Sequence, residues 1–92
     1  MTNSTMTTED FEKNPKLDGY LIMVLGMPNR EYILVDYDPI GKKVGVYVES
    51  SASQIPNLTL IEPGIYSGRV ELASVLELIK REDVTMIRAM KK

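Results

Sequence analysis

The chain has 92 residues, a formal net charge of −2 and a hydrophobic fraction of 43%, as expected for one small globular domain. It contains no histidine or cysteine. This composition excludes Cys/His zinc sites, thiolate chemistry and hydrolases that use histidine as the base. The mild charge also argues against a chain that binds nucleic acid over its whole surface. We therefore expect a protein that is not an enzyme and that holds no cofactor or metal.

The first 18 residues predict a flexible tail, and residues 19–92 predict a single domain. Thr, Asn and Ser dominate the start of the chain, and they bury too little surface to offset the entropy of ordering. Thr8 could cap one short helix over Glu9–Lys13. The start lacks the basic and apolar regions of a secretory signal, and no apolar run reaches the ~20 residues that span a bilayer. We therefore expect a cytoplasmic protein, located in the host cytoplasm if it is viral.

Three strand-like runs follow, and they predict an antiparallel meander. Gly19–Leu25 is apolar on both faces, which is typical of a strand inside a sheet. Glu31–Tyr37 and Lys43–Glu49 alternate between apolar and polar residues, as half-buried strands do. Between them, Asp38-Pro39-Ile40-Gly41 has the proline and glycine of a tight turn. Gly45, in the third run, indicates a bulge or the close approach of another segment.

The C-terminal half predicts two more strands, Leu58–Ile61 and Val84–Met90, with one helix between them. Four apolar residues recur there at the spacing of a helix face: Leu72, Val75, Leu76 and Ile79. A helix over 69–82 uses this whole stripe, whereas the capping box that begins at Ser74 would start a shorter helix. The order β-β-β-β-α-β predicts an α+β fold. Its mostly antiparallel sheet has four to five strands, and the helix packs on one face.

A sheet that one helix covers on a single face leaves its other face open, and an open apolar face usually binds a partner. We expect Tyr32 and Tyr47 to cluster on this face, because both lie opposite the Ile/Val stripes of their strands. Acidic turn residues nearby would suit a basic partner surface and accelerate association. The predicted partner-binding residues are Met27, Asn29, Arg30, Glu31, Tyr32, Asp36, Asp38 and Tyr47.

Two smaller patterns each have a simple structural interpretation. Asp36 and Asp38 are two residues apart and could hold Mg²⁺ or Ca²⁺, but an aspartate before Pro39 is more typical of turn chemistry. Met23 fits core filling, whereas Met27, in a turn, is a methionine that we expect to be exposed. We expect the same difference between Met86 in the core and Met90 near the end of the chain.

The overall type, a short acidic chain rich in methionine and poor in catalytic side chains, resembles small accessory proteins that phages and mobile elements encode. Many of those proteins, anti-CRISPR proteins among them, are stoichiometric inhibitors of host machinery. The resemblance implies an inhibitor that occludes a surface on a larger protein or ribonucleoprotein complex. Two alternatives stay open. One is a self-assembling subunit that forms a homodimer through a sheet face or edge. The other is a nucleic-acid-binding module.

Overall fold

The computed structural model describes residues 14–92, so the short helix predicted over residues 9–13 lies outside the described residues. The elements follow in this order: α1 (Gly19–Gly26), β1 (Tyr37–Asp38), β2 (Lys43–Ser50), β3 (Thr59–Glu62), β4 (Ile65–Glu71), α2 (Leu72–Leu78) and β5 (Val84–Ala89). The five strands form one antiparallel sheet. Helix α1 contacts β5, and α2 contacts β4. The predicted fold class, an α+β fold with a C-terminal-half helix packed on an antiparallel sheet, is therefore confirmed.

Strand β2 is the centre of the sheet because it pairs along both edges. One edge pairs with β4, from Lys43 opposite Glu71 to Glu49 opposite Ile65. The other edge pairs with β1 at one end and with β5 at the other. Strand β3 pairs with β4 and lies at the outer edge of the sheet.

Both helices cover the same face of the sheet. The alternation of β2 directs Val44, Val46 and Val48 into the core, where all three are fully buried, as the sequence predicts. The helices supply the opposing core residues: Leu21 and Val24 from α1, and Val75 and Leu78 from α2. The molecule is 20 Å thick in its smallest dimension, as expected for one sheet under one layer of helices. No helix among residues 14–92 covers the other face of the sheet, which carries the exposed Tyr47.

The first apolar run is a helix, so the strand predicted over Gly19–Leu25 is wrong. Asp18 caps the helix, because its Oδ1 accepts a hydrogen bond from the Leu21 N–H at 2.9 Å. Its Oδ2 accepts from the Ala89 N–H at 3.1 Å, which fixes the start of α1 to β5. A short run that is apolar on every side fits an interior strand or a buried helix equally well. The cap at Asp18 favours the helix.

The strand predicted over Glu31–Tyr37 is also wrong. Only Tyr37–Asp38 forms a strand, and Val35 makes one isolated bridge to Lys91. Ile33 is 87% exposed, whereas Val35 and Tyr37 are buried, so the three residues do not share a face. The segment is irregular because it connects α1 on the helical layer with β1 in the sheet.

Helix α2 is shorter than the predicted range 69–82 and does not begin at the capping box of Ser74. It starts at Leu72, and Glu71 occupies the cap position without a side-chain hydrogen bond. Residues 65–71 form β4 instead, because they pair with β2 at every position from Ile65 to Glu71. The helix therefore begins only where this pairing ends.

Gly45 confirms the predicted close approach of another segment. Its N–H donates to the carbonyl of Asp36, and its own carbonyl accepts from the N–H of Met90, both within 2.9 Å. A Cβ at this position would lie 2.8 Å from Asp36 Oδ2 and 2.9 Å from Met90 Sδ. Because glycine has no side chain, Asp36 before β1 and Met90 after β5 can both approach the central strand β2 closely.

Candidate functional site

Helix α1 has an apolar outer face that no described residue covers. Every residue from Tyr20 to Leu25 is apolar, so the helix has no polar side to present to water. Leu21 and Val24 are fully buried against the sheet, whereas Met23 is 44% exposed. Tyr20 and Met27 lie in the same exposed stripe, at the i, i+3 and i+7 spacing of one helix face. A helix that is apolar all round is usually buried on every side.

The irregular segment after α1 extends this exposed surface. Ile33 and Leu34 are 87% and 61% exposed. They line a groove of about 490 Å³ together with the stripe of α1, and Arg30 and Glu31 also line it. We call the five exposed apolar residues the apolar patch: Tyr20, Met23, Met27, Ile33 and Leu34. A contiguous apolar surface beside charged residues is typical of a protein interface.

Two buried tyrosines hold the patch on the sheet. The Tyr32 hydroxyl lies 2.9 Å from the Met23 carbonyl and 2.8 Å from the Met27 carbonyl, so it donates at the C-terminal end of α1. The Tyr37 hydroxyl donates to the Pro28 carbonyl at 2.6 Å. The two rings meet edge to face, with their centroids 5.9 Å apart. Burial raises the pKa of the Tyr37 phenol, and the neighbouring Tyr32 and Asp38 raise it further, so this donor stays protonated.

No known protein family, curated protein or solved structure matches the chain.

The structure brings together four of the predicted partner-binding residues around the groove: Met27, Arg30, Glu31 and Tyr32. Asn29 is exposed in the same turn, where its Oδ1 accepts a hydrogen bond from Lys42 Nζ at 2.7 Å. The sequence therefore located one end of the surface, because a polar turn between two apolar runs is exposed in most folds.

The expectation that Tyr32 and Tyr47 cluster on the open sheet face is wrong. Tyr32 is buried beneath the patch, and its role in the structure is to hold α1. Tyr47 lies on the open face of β2, on the opposite side of the sheet from the helices. The reason is that residues 31–36 do not form a strand, so strand alternation does not apply to Tyr32.

The three acidic turn residues differ in their exposure and in their partners. Glu31 is exposed, and Asp38 lies with it at the rim of a second cavity of about 480 Å³, which Lys92 also lines. Asp36 is half-buried and forms an ion pair with Arg69. Asp38 accepts a hydrogen bond from the Ile40 N–H at 3.0 Å, which is the turn chemistry that the sequence predicts. Among residues 14–92 there is no group of three or more acidic side chains placed to hold a metal ion.

The sequence missed four members of the apolar patch, namely Tyr20, Met23, Ile33 and Leu34. Met23 was expected in the core, but it lies on the outer side of α1. Asp18 immediately before the apolar run could have indicated the helix, and helical spacing then separates Tyr20 and Met23 from the buried residues Leu21 and Val24.

Neither helix in the described part of the chain is long and apolar enough to cross a membrane.

Proposed function

We propose that this chain is a non-enzymatic binding protein that occludes a surface on a larger protein or ribonucleoprotein partner, as phage-type inhibitors do. The observation that carries the proposal is the apolar patch. Helix α1 presents apolar side chains to water along its whole outer face, and Ile33 and Leu34 continue that surface. A small domain gains nothing from this exposure unless another molecule covers it.

The centre of the patch offers enough area to act as a binding hot spot. Full burial of a large aliphatic side chain is worth roughly 1.5–3 kcal/mol. Ile33 and Leu34 keep most of their area in water, so a partner that covers them recovers most of that amount for each residue. Met23 and Met27 add flexible side chains that can adapt to the shape of a partner.

The charges beside the patch are of both signs, because Arg30 and Lys92 lie there with Glu31 and Asp38, and the proposal of a basic partner surface rests on the two acidic groups. Glu31 and Asp38 are exposed beside it, and the chain as a whole carries a net charge of −2. Asp36 contributes less to attraction because Arg69 already neutralises it. Exposed charges of this kind act mainly on the association rate and are screened by salt. We expect Glu31→Lys to slow association at low salt and to have little effect at high salt.

The test is affinity capture of the partner from host lysate at low and high salt, with the tagged chain and two patch variants. We expect one stoichiometric partner, and we expect Met23→Lys and Ile33→Lys to lower its recovery at least tenfold. Ile40→Lys is the matched control, because Ile40 is 94% exposed but lies in the turn before β2, outside the patch. Equal recovery with all three variants would show that the patch is not the binding surface.

A further inference from the structure

The sheet has one covered edge and one open edge. At the covered edge, residues 16–18 run along β5: the Ile87 N–H donates to the Lys16 carbonyl at 2.6 Å, and the Asp18 N–H donates to the Ile87 carbonyl at 3.2 Å. At the other edge, β3 pairs with β4 alone within the described part of the chain. All four residues of β3 are exposed. The outer backbone groups of β3 are therefore available to another strand.

Strand β3 has few of the features that protect natural edge strands from pairing. Such strands usually carry lysine, proline or an inward-pointing charge. The sequence of β3 is Thr-Leu-Ile-Glu, in which Leu60 and Ile61 each expose about half of their surface. Its protective features are a register shift between Leu60 and Glu62, its length of four residues and the charge of Glu62.

We propose that β3 pairs with β3 of a second copy of this chain, antiparallel, about a twofold axis at Leu60. In this register Leu60 lies opposite the partner's Leu60, and Thr59 lies opposite the partner's Ile61. Apolar and β-branched pairs of this kind stabilise antiparallel strands. An axis at Glu62 would instead bring two like charges together and place Pro63 in the pairing. The charge and the proline thus disfavour an axis at Glu62, whereas the register about Leu60 pairs apolar and β-branched residues with each other.

The dimer does not depend on the proposed function, because β3 lies at one edge of the sheet and α1 packs on β5 near the other edge. Helix α1 contacts β5, which pairs with β2, whereas β3 is separated from β2 by β4. Pairing through β3 therefore leaves the apolar patch of each copy exposed. A dimer would present two patches and would gain avidity on a partner with two binding sites.

The interface is small, so the dimer should be weak. Four residues on each strand bury less than the ~1,200 Å² of a standard interface, and we expect a dissociation constant in the micromolar range. The experiment is sedimentation equilibrium of the full chain up to about 500 µM. We expect the average mass to rise with concentration from 10.4 kDa towards twice that value.

Substitutions in β3 and elsewhere test whether β3 forms the dimer interface. Leu60→Lys places two like charges at the axis, and we expect it to raise the dissociation constant at least tenfold. Leu60→Thr keeps a residue suited to a strand, and it should weaken the dimer less. Ile40→Lys and Met23→Lys should show the same rise of average mass with concentration as the wild type. Circular dichroism should show that every variant is folded. A single-chain mass at all concentrations, or a dimer that Leu60→Lys does not weaken, would overturn the proposal. Loss of partner capture in Met23→Lys tests the proposed function separately.

Discussion

Replacing Tyr32 with phenylalanine tests whether this residue serves to hold α1 in place. The change removes only the hydroxyl, which donates towards the carbonyls of Met23 and Met27 at 2.9 and 2.8 Å. Each carbonyl keeps a second donor, because the Met27 N–H bonds to Met23 and the Arg30 N–H bonds to Met27. The expected loss of unfolding free energy is therefore that of one net hydrogen bond, about 1 kcal/mol. This is smaller than the cost of leaving a buried carbonyl without any hydrogen bond. In a domain of this size that free energy corresponds to a drop in Tm of roughly 4–8 °C.

Thermal and urea unfolding followed by circular dichroism measure the effect. Tyr47→Phe is the matched control, since the exposed Tyr47 hydroxyl makes no hydrogen bond within residues 14–92. We expect the control to unfold like the wild type. If Tyr32→Phe also matches the wild type within about 0.3 kcal/mol, then Tyr32 does not hold α1 through its hydroxyl. A loss above about 3 kcal/mol would instead mean that the two carbonyls are left without any partner.

Two further predictions concern the C-terminal end of α2. Lys16→Met removes the ammonium that donates to the carbonyls of Ile79 and Arg81 at 3.0 and 2.6 Å. Urea unfolding should show a loss of about 1–2 kcal/mol, while Lys80→Met, which breaks an exposed pair, should show almost none. The Arg81 guanidinium hydrogen-bonded to Asp83 holds the pKa of that carboxyl below its usual range. This contribution to the free energy of unfolding is present above pH ~4 and is lost as the pH falls through the lowered pKa. Asp83→Asn should therefore reduce the decrease in unfolding free energy over that pH range. An unchanged dependence of stability on pH would contradict this prediction.

The elements that the sequence predicts correctly have one buried face and a clear boundary. Lys43–Glu49 alternates with period two, and the Pro39–Gly41 turn marks its start, so β2 follows from local pattern alone. Tertiary contacts decide the elements that it predicts wrongly. Gly68 is a residue typical of loops, but it belongs to β4 and pairs with Val46 of β2. Leu58 packs so closely against it that a Cβ on Gly68 would lie 2.8 Å from the Leu58 side chain. No local pattern in the sequence shows that contact.

The candidate site follows the same division. The turn residues Met27, Arg30 and Glu31 are exposed because the turn is polar, and the sequence is sufficient to place them. The exposure of Met23 and Ile33 depends on which side of α1 meets the sheet and on where the chain crosses to β1. Apolar residues are normally assigned to the core, so an apolar binding surface is the feature that composition conceals most easily.

The attachment of Asp18 to Ala89, 71 residues further along the chain, also determines when α1 can dock during folding. Contacts between β3 and β4 span only a few residues and can form early, whereas the α1 contact closes a loop of almost the whole domain. Until β5 joins β2, the sheet lacks the strand that α1 contacts, so α1 cannot complete its native packing. A chain in which β5 is still unpaired therefore exposes apolar surface of α1 that the native state buries, and such exposure favours aggregation.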